Sequence, residues 1–165
     1  MARVWIGLGS NLGDRRAHLV QAVEHLQKYG HVLRLSSIYL TSPWGYSAQP
    51  DFLNAVVEIE TPYEPVELLR IVKHIEKEMG REPGRKWHPR LIDLDILLYE
   101  DRILKTEELT IPHPLLSERL FVLVPLSELV PEKVHPITGK TIEQLRRERE
   151  VNADGERVEK THYTW

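Results

Sequence analysis

Apolar residues recur along this chain with two different periods, and the switches between those periods mark out most of its elements. Residues 3–10 read as a strand ending in a glycine-rich turn, where Asn11 and Asp14 can cap a helix that starts near Arg15. Leu19, Val23 and Leu26 then follow at helical spacing, and Gly30 is placed to stop that helix. Residues 32–39 predict a second strand and residues 52–60 a third, separated by a segment rich in turn formers and aromatics. Pro65 suits the first turn of a second helix, in which Leu68, Leu69, Val72, Ile75 and Met79 form one apolar stripe. A basic loop, a strand carrying Asp93 and Asp95, the segment Ile111-Pro112-His113-Pro114 and an apolar element over 120–126 come next. Residues 141–149 read as a short helix. Asp154-Gly155 could turn a terminal hairpin, and Trp165 is the one sign that the charged end of the chain docks.

The order strand, helix, strand, strand, helix, strand is that of an α/β (α+β) ferredoxin-like sandwich. It predicts a central, largely antiparallel sheet with helices packed on one face. No internal repeat or linker interrupts it. At 165 residues and 41% hydrophobic content the chain suits one filled core, expected over residues 1–149; residues 150–165 are expected to be a charged tail, either a hairpin or disordered.

Composition removes several function classes. There is no Cys, so disulfides, thiolate zinc sites and thiol nucleophiles are excluded. The first residues run straight into a strand without the apolar stretch of a signal peptide, and no segment approaches a membrane span, so a cytoplasmic protein without membrane attachment is expected. A net charge of −3 argues against nucleic acid as a partner. Locally the balance reverses: Arg81, Arg85, Lys86 and Arg90 face a lone Glu82, a setting for a small anion.

The candidate chemistry lies just beyond that loop. Successive strand residues point to opposite faces, so Asp93 and Asp95 share one face about 6.5–7 Å apart, with Leu94, Ile96 and Leu98 on the other. Paired carboxylates on a sheet need solvent, arginine partners or a cation, and a magnesium-bound polyphosphate fits the basic surroundings. A polar rim on a half-exposed sheet would carry the same pattern. Other motifs fail. Gly7-Leu8-Gly9-Ser10-Asn11-Leu12-Gly13 has its third glycine one residue late for a dinucleotide fingerprint, and no parallel unit follows. Gly139-Lys140-Thr141 lacks the preceding glycine and strand of a P-loop, and the eight His form no zinc pair.

Several separated motifs agree on a family. Gly9-Ser10-Asn11-Leu12-Gly13-Asp14, Gln49-Pro50-Asp51-Phe52-Leu53-Asn54, Gly80-Arg81, residues 85–95, and Ile111-Pro112-His113-Pro114 with Arg119 and Phe121 occur in order over about the first 145 residues. Together they resemble the 6-hydroxymethyl-7,8-dihydropterin pyrophosphokinases of folate biosynthesis. The resemblance implies transfer of the terminal diphosphate of ATP to the hydroxymethyl group of the pterin, with AMP released. It implies two magnesium ions bridged by Asp93 and Asp95, and Arg81 and Arg90 beside them in catalysis. Thr41, Ser42, the Trp44 backbone, Asn54 and Trp87 would line the pterin pocket, with Phe52 and Phe121 stacked on the two ring faces. Glu76, Arg85, Trp87, Arg90, Thr110, His113 and Arg119 would contact ATP or its loop. The same aromatics could instead fill the core, and the loop arginines could be solvated charges.

This chain departs from some members of that family. Phe52 replaces a Tyr, Pro114 follows the His where others carry Tyr, and Glu108 stands where some have a basic nucleotide contact. The oligomeric state is left open, with a monomer as the working expectation. Two other classes fit parts of the pattern: a different magnesium-dependent, nucleotide-using transferase without a pterin pocket, and a non-catalytic ferredoxin-like domain that senses nucleotide.

Overall fold

The computed structural model describes residues 1–43, 48–80, 91–153 and 155–165. Strand β1 (Ala2–Ser10) leads to helix α1 (Arg15–Leu26), strands β2 (His31–Leu35), β3 (Tyr39–Thr41) and β4 (Phe52–Thr61), and helix α2 (Pro65–Glu78). There follow β5 (Asp93–Tyr99), a small hairpin of β6 (Leu104–Lys105) and β7 (Thr110–Ile111), helices α3 (Leu120–Leu129) and α4 (Ile142–Val151), and β8 (Val158–Lys160). In the main sheet the order is β5-β1-β4-β3-β8, and β2 pairs with the same side of β4 as β3. Every pairing in it is antiparallel.

Local chemistry accounts for most boundaries. Asp14 caps α1, its carboxylate accepting from the Ala17 amide, while α2 opens with Pro65 and a Glu64/Glu67 capping box. Asn11 does not cap; its side-chain amide donates to Gln49 Oε1 and to the Pro50 carbonyl instead. Gly30 lies beyond the end of α1 and has another reason to be glycine. A Cβ there would come within 2.5 Å of the Glu60 carbonyl oxygen, so the chain can pass β4 only without a side chain.

The expected strand over 32–39 is divided into β2 and β3. Ser36 explains the break: its hydroxyl, rather than its carbonyl, accepts the Val56 amide, and its carbonyl accepts Trp165 Nε1. The C-terminal end fills the gap so created. Beyond α4, β8 pairs with β3, and both the amide and the hydroxyl of Thr161 donate to the Ile38 carbonyl.

Two apolar layers flank the sheet. Leu19, Ala22, Val23 and Leu26 of α1 and Leu68, Val72 and Ile75 of α2 pack on Val4, Ile6, Leu8, Val57, Ile59, Leu94 and Ile96. On the opposite face, Trp5, Val56, Leu97 and Leu98 are covered by Val122, Leu123, Leu126 and Leu129 of α3 and by Ile142 and Leu145 of α4. Helices therefore cover both faces, which corrects the expectation of one. Residues 120–129 are too uniformly apolar to show a stripe, so their sequence carries no sign of which face they take. Among the described residues no helix is long and apolar enough to cross a membrane.

Candidate active site

The register of β1 decides what surrounds the two carboxylates. Asp93 pairs with Gly9 and Asp95 with Gly7, with a bulge between Trp5 and Ile6 shifting the remainder of the pairing. Across β1, Gly9 pairs with Asn54 and Gly7 with Val56. The face bearing Asp93 and Asp95 thus has a side-chain-free stripe in its middle, bounded by Asn54 and Phe52 on β4 and by α3 above. This explains the glycines that resembled a dinucleotide fingerprint: they clear space over a sheet. A Cβ at Gly9 would lie 2.7 Å from Asn54 Nδ2 and 3.4 Å from Phe52 Cδ1.

Two cavities meet at the carboxylates. A small one on the sheet face is lined by Gly7, Gly9, Asn54, Val56, Asp93, Asp95 and Phe121, among others. A larger cleft of about 450 Å³ wraps the edge of β5 and is lined by Asp93 and Asp95 together with Glu76, Thr110, His113 and Arg119. Asp93 and Asp95 belong to both.

The residues around the small cavity are held firmly. Thr41 Oγ1 donates to Asn54 Oδ1 at 2.6 Å, and Asn54 Nδ2 donates to the Leu8 carbonyl at 3.2 Å, which fixes the plane of a buried amide beside the cavity. Phe121 comes from the first turn of α3, with the Arg119 guanidinium 5.4 Å from its ring centre. Glu128, further along α3, accepts from the Ser37 amide and hydroxyl and from Tyr39 Oη at 2.6 Å. Burial and that carboxylate push the Tyr39 phenol up, so it stays a donor and keeps α3 seated over β3. Ser42 is turned elsewhere, its amide and hydroxyl both engaged by the Arg157 backbone.

In the cleft, Glu76 is buried and its carboxylate accepts the Leu94 amide at 2.8 Å. It grips β5 at the residue between the two aspartates. His113 is anchored by its own amide to the Leu97 carbonyl, and its Nδ1 accepts from the Leu115 amide at 3.1 Å. Burial, helped by the Arg119 charge, lowers its pKa to about 4. The ring is therefore neutral near pH 7 with its proton on Nε2. Thr110 sits on β7, partly buried at the cleft wall. Glu108 also lines the cleft, 3.9 Å from Arg70, which makes that wall acidic. Trp44, Arg81, Arg85, Trp87 and Arg90 lie outside the described residues.

Sequence reasoning overlooked Gly7 and Gly9, whose role needs the cross-strand register. It also overlooked Lys73, a cleft residue that could have been found one helical turn before Glu76 on the same side of α2.

Among the described residues no group of three or more His, Asp or Glu gathers to hold a metal. Asp93 and Asp95 offer hard oxygens on one open face, so a cation there must complete its shell with water and substrate oxygens. Magnesium binds in that manner, through one or two carboxylates plus phosphates, and the donor set fits it.

The sequence model of 7,8-dihydro-6-hydroxymethylpterin-pyrophosphokinase (HPPK) matches residues 5–131. The chain belongs to this family. It is 43% identical over 148 residues to the 2-amino-4-hydroxy-6-hydroxymethyldihydropteridine pyrophosphokinase of Aquifex aeolicus, covering 90% of this chain and 92% of that one. It is 46% identical over 142 residues to the Bacillus subtilis enzyme of the same name, covering 85% of each. In fold it resembles a crystal structure of HPPK-DHPS in complex with substrates, with a TM-score of 0.73 at 16% identity. It resembles equally the wild-type Plasmodium falciparum HPPK-DHPS with pterin and p-hydroxybenzoate, with a TM-score of 0.73 at 18% identity. In both cases 93% of this chain is covered, but it spans only 44% of those longer chains. The ferredoxin-like, mainly antiparallel fold is that of the HPPK domains, and pyrophosphokinases are diphosphotransferases.

Proposed function

We propose that this chain transfers the diphosphate of ATP to the hydroxymethyl group of 6-hydroxymethyl-7,8-dihydropterin and releases AMP, a step of folate biosynthesis. The observation that carries the reading is the position of Asp93 and Asp95 in the wall shared by two cavities. The pterin is assigned to the small cavity by its lining, the Asn54 amide and the Phe121 ring; at about 20 Å³ that cavity must widen to admit the ring. The larger cleft, with Thr110, His113 and Arg119, suits the nucleotide. The reacting atoms then meet at the carboxylates.

In this reading Phe52 and Phe121 hold the flat ring by its faces, and the Asn54 amide, oriented by Thr41, reads its polar edge. The Trp44 backbone with Trp87 completes the pocket, and Ser42, its amide and hydroxyl bound to the Arg157 backbone, backs it rather than reaching the ring. His113 donates through Nε2–H and Arg119 through its guanidinium to phosphate oxygens, and Glu76 keeps the strand carrying both aspartates in place. Arg81, Arg85 and Arg90 supply charge to the diphosphate in flight. Asp93 and Asp95 would hold two magnesium ions, which when bound neutralise the phosphate oxygens and polarise the phosphorus under attack. The pterin oxygen forms a bond to the middle phosphorus of ATP as the bond from that phosphorus to the AMP oxygen breaks, and the hydroxyl proton is released. No side-chain base is required, because positioning and charge stabilisation supply most of the barrier reduction.

One chain lines both cavities, which supports a monomer acting on small molecules. Incubation with ATP, magnesium and the pterin, followed by chromatography of the nucleotides, tests the assignment. Pterin-dependent AMP is expected; pterin-dependent ADP, or no dependence on pterin, would overturn it.

A further inference from the structure

Three consecutive residues near the C-terminus contact the neighbours of Phe121 on one side and of Phe52 and Asn54 on the other. Glu156, whose side chain is only 13% exposed, accepts the Leu120 amide at 3.1 Å at the start of α3, immediately before Phe121. Its other oxygen accepts from Arg149. Arg157 exchanges backbone and hydroxyl hydrogen bonds with Ser42, at 3.0 and 2.9 Å, and its guanidinium pairs with the Asp51 carboxylate. It therefore joins the two ends of the segment 42–51, of which one leads out of β3 and the other into Phe52. Val158 pairs with Thr41, the residue that orients Asn54. The segment lies beyond residues 5–131, where the family match ends.

From these contacts we propose that residues 156–158 form a strap that sets the spacing of the two aromatic walls, with Glu156 and Arg157 as positioning residues for pterin binding. Glu156 ties down the Leu120 amide beside Phe121, and Arg157 ties down Asp51 beside Phe52, so the backbone on both sides is placed before the ligand arrives and less ordering is left for it to do. Among the described residues that line the ATP cleft none belongs to 156–158, and the strap comes near it only at Leu120, the residue after Arg119. The strap rests on the reading of Phe52 and Phe121 as the pterin walls.

Arg157 is half exposed, and its pair with Asp51 adds little to global stability, so Arg157→Ala leaves a folded protein. Titration of Arg157→Ala and Glu156→Ala with 6-hydroxymethyl-7,8-dihydropterin in the presence of α,β-methylene ATP should show pterin affinity about three- to tenfold weaker. Affinity for the ATP analogue measured alone should change less than about twofold, and Glu156→Gln, which keeps an acceptor for the Leu120 amide, should restore pterin binding. A purely structural role would weaken both ligands together or neither, and either result overturns the strap. Phe52→Ala serves as the reference. If it loses pterin while Arg157→Ala and Glu156→Ala bind normally, the strap alone is refuted; if it too binds normally, the pocket reading fails and the strap with it.

Discussion

Adding a single methyl group to β1 should damage the site more than the fold, and Gly9→Ala isolates that effect. The new Cβ would stand 2.7 Å from Asn54 Nδ2, about a full ångström inside ordinary contact, and 3.4 Å from Phe52 Cδ1. Asn54 cannot swing aside cheaply, because its amide is bound at both ends, to Thr41 Oγ1 at 2.6 Å and to the Leu8 carbonyl at 3.2 Å. Relief by overpacking costs about 1–3 kcal/mol of stability. Displacing the amide also costs about 1–3 kcal/mol wherever one of its bonds is left unmade, so the pterin Kd should rise about tenfold. Gly7→Ala is the internal comparison: its Cβ would meet the Leu97 methyl carbons at 3.5 Å, an ordinary contact, and its stability should stay within about 1 kcal/mol of the parent. Urea unfolding and calorimetric pterin titration of both variants give the two quantities. If Gly9→Ala unfolds with the parent's free energy and binds pterin with the parent's affinity, Asn54 is not confined as argued. Equal losses in the two variants would show that the strand tolerates neither methyl and that the close approach at Gly9 is not the cause.

The remaining predictions concern the carboxylates and the buried histidine. Asp95→Asn, at a partly exposed position opposite Gly7, should abolish magnesium-dependent turnover while moving the unfolding free energy by less than about 1 kcal/mol; retained turnover would make the carboxylate structural. Glu76→Ala leaves the Leu94 amide without its buried acceptor and should cost about 1–3 kcal/mol together with a marked fall in kcat; a normal kcat in the folded variant would mean that β5 keeps its place unaided. His113 has a folded-state pKa of about 4 against 6.5 when unfolded, so between those values the unfolded chain holds the extra proton and stability falls as pH drops. The loss by pH 4 is bounded at about 3 kcal/mol, and His135, lowered by burial in the same direction, adds to it. His113→Asn should therefore flatten, without erasing, the decline in unfolding free energy from pH 6.5 to 4; an unchanged slope would mean that His113 titrates as an exposed imidazole.

What the sequence determined was largely a matter of period and local hydrogen bonding. Strand parity places Asp93 and Asp95 on one face with Leu94 and Ile96 on the other, because the side-chain period of a regular strand is two. It fails at Leu98, expected beside Leu94 and Ile96 but packed with Leu97 on the opposite face, where the pairing with β1 shifts. Asp14 and Pro65 mark helix starts through bonds and dihedral preferences made within a few residues. The separated motifs were enough to indicate the family and its chemistry. Tertiary structure alone decided the partners. That Gly9 faces Asp93, and that Gly7 faces Asp95, depends on a register which a bulge shifts, and no local period encodes it. The break at Ser36 exists because a tryptophan 129 positions away supplies the donor for its carbonyl. The charged segment after α4 shows no period, since what orders it is pairing with β3 and ion pairs across the fold, interactions between residues over a hundred positions apart. Which face α3 covers was equally invisible, because a helix whose polar residues are only Ser127 and Glu128 shows no stripe and is oriented by the surfaces available to it.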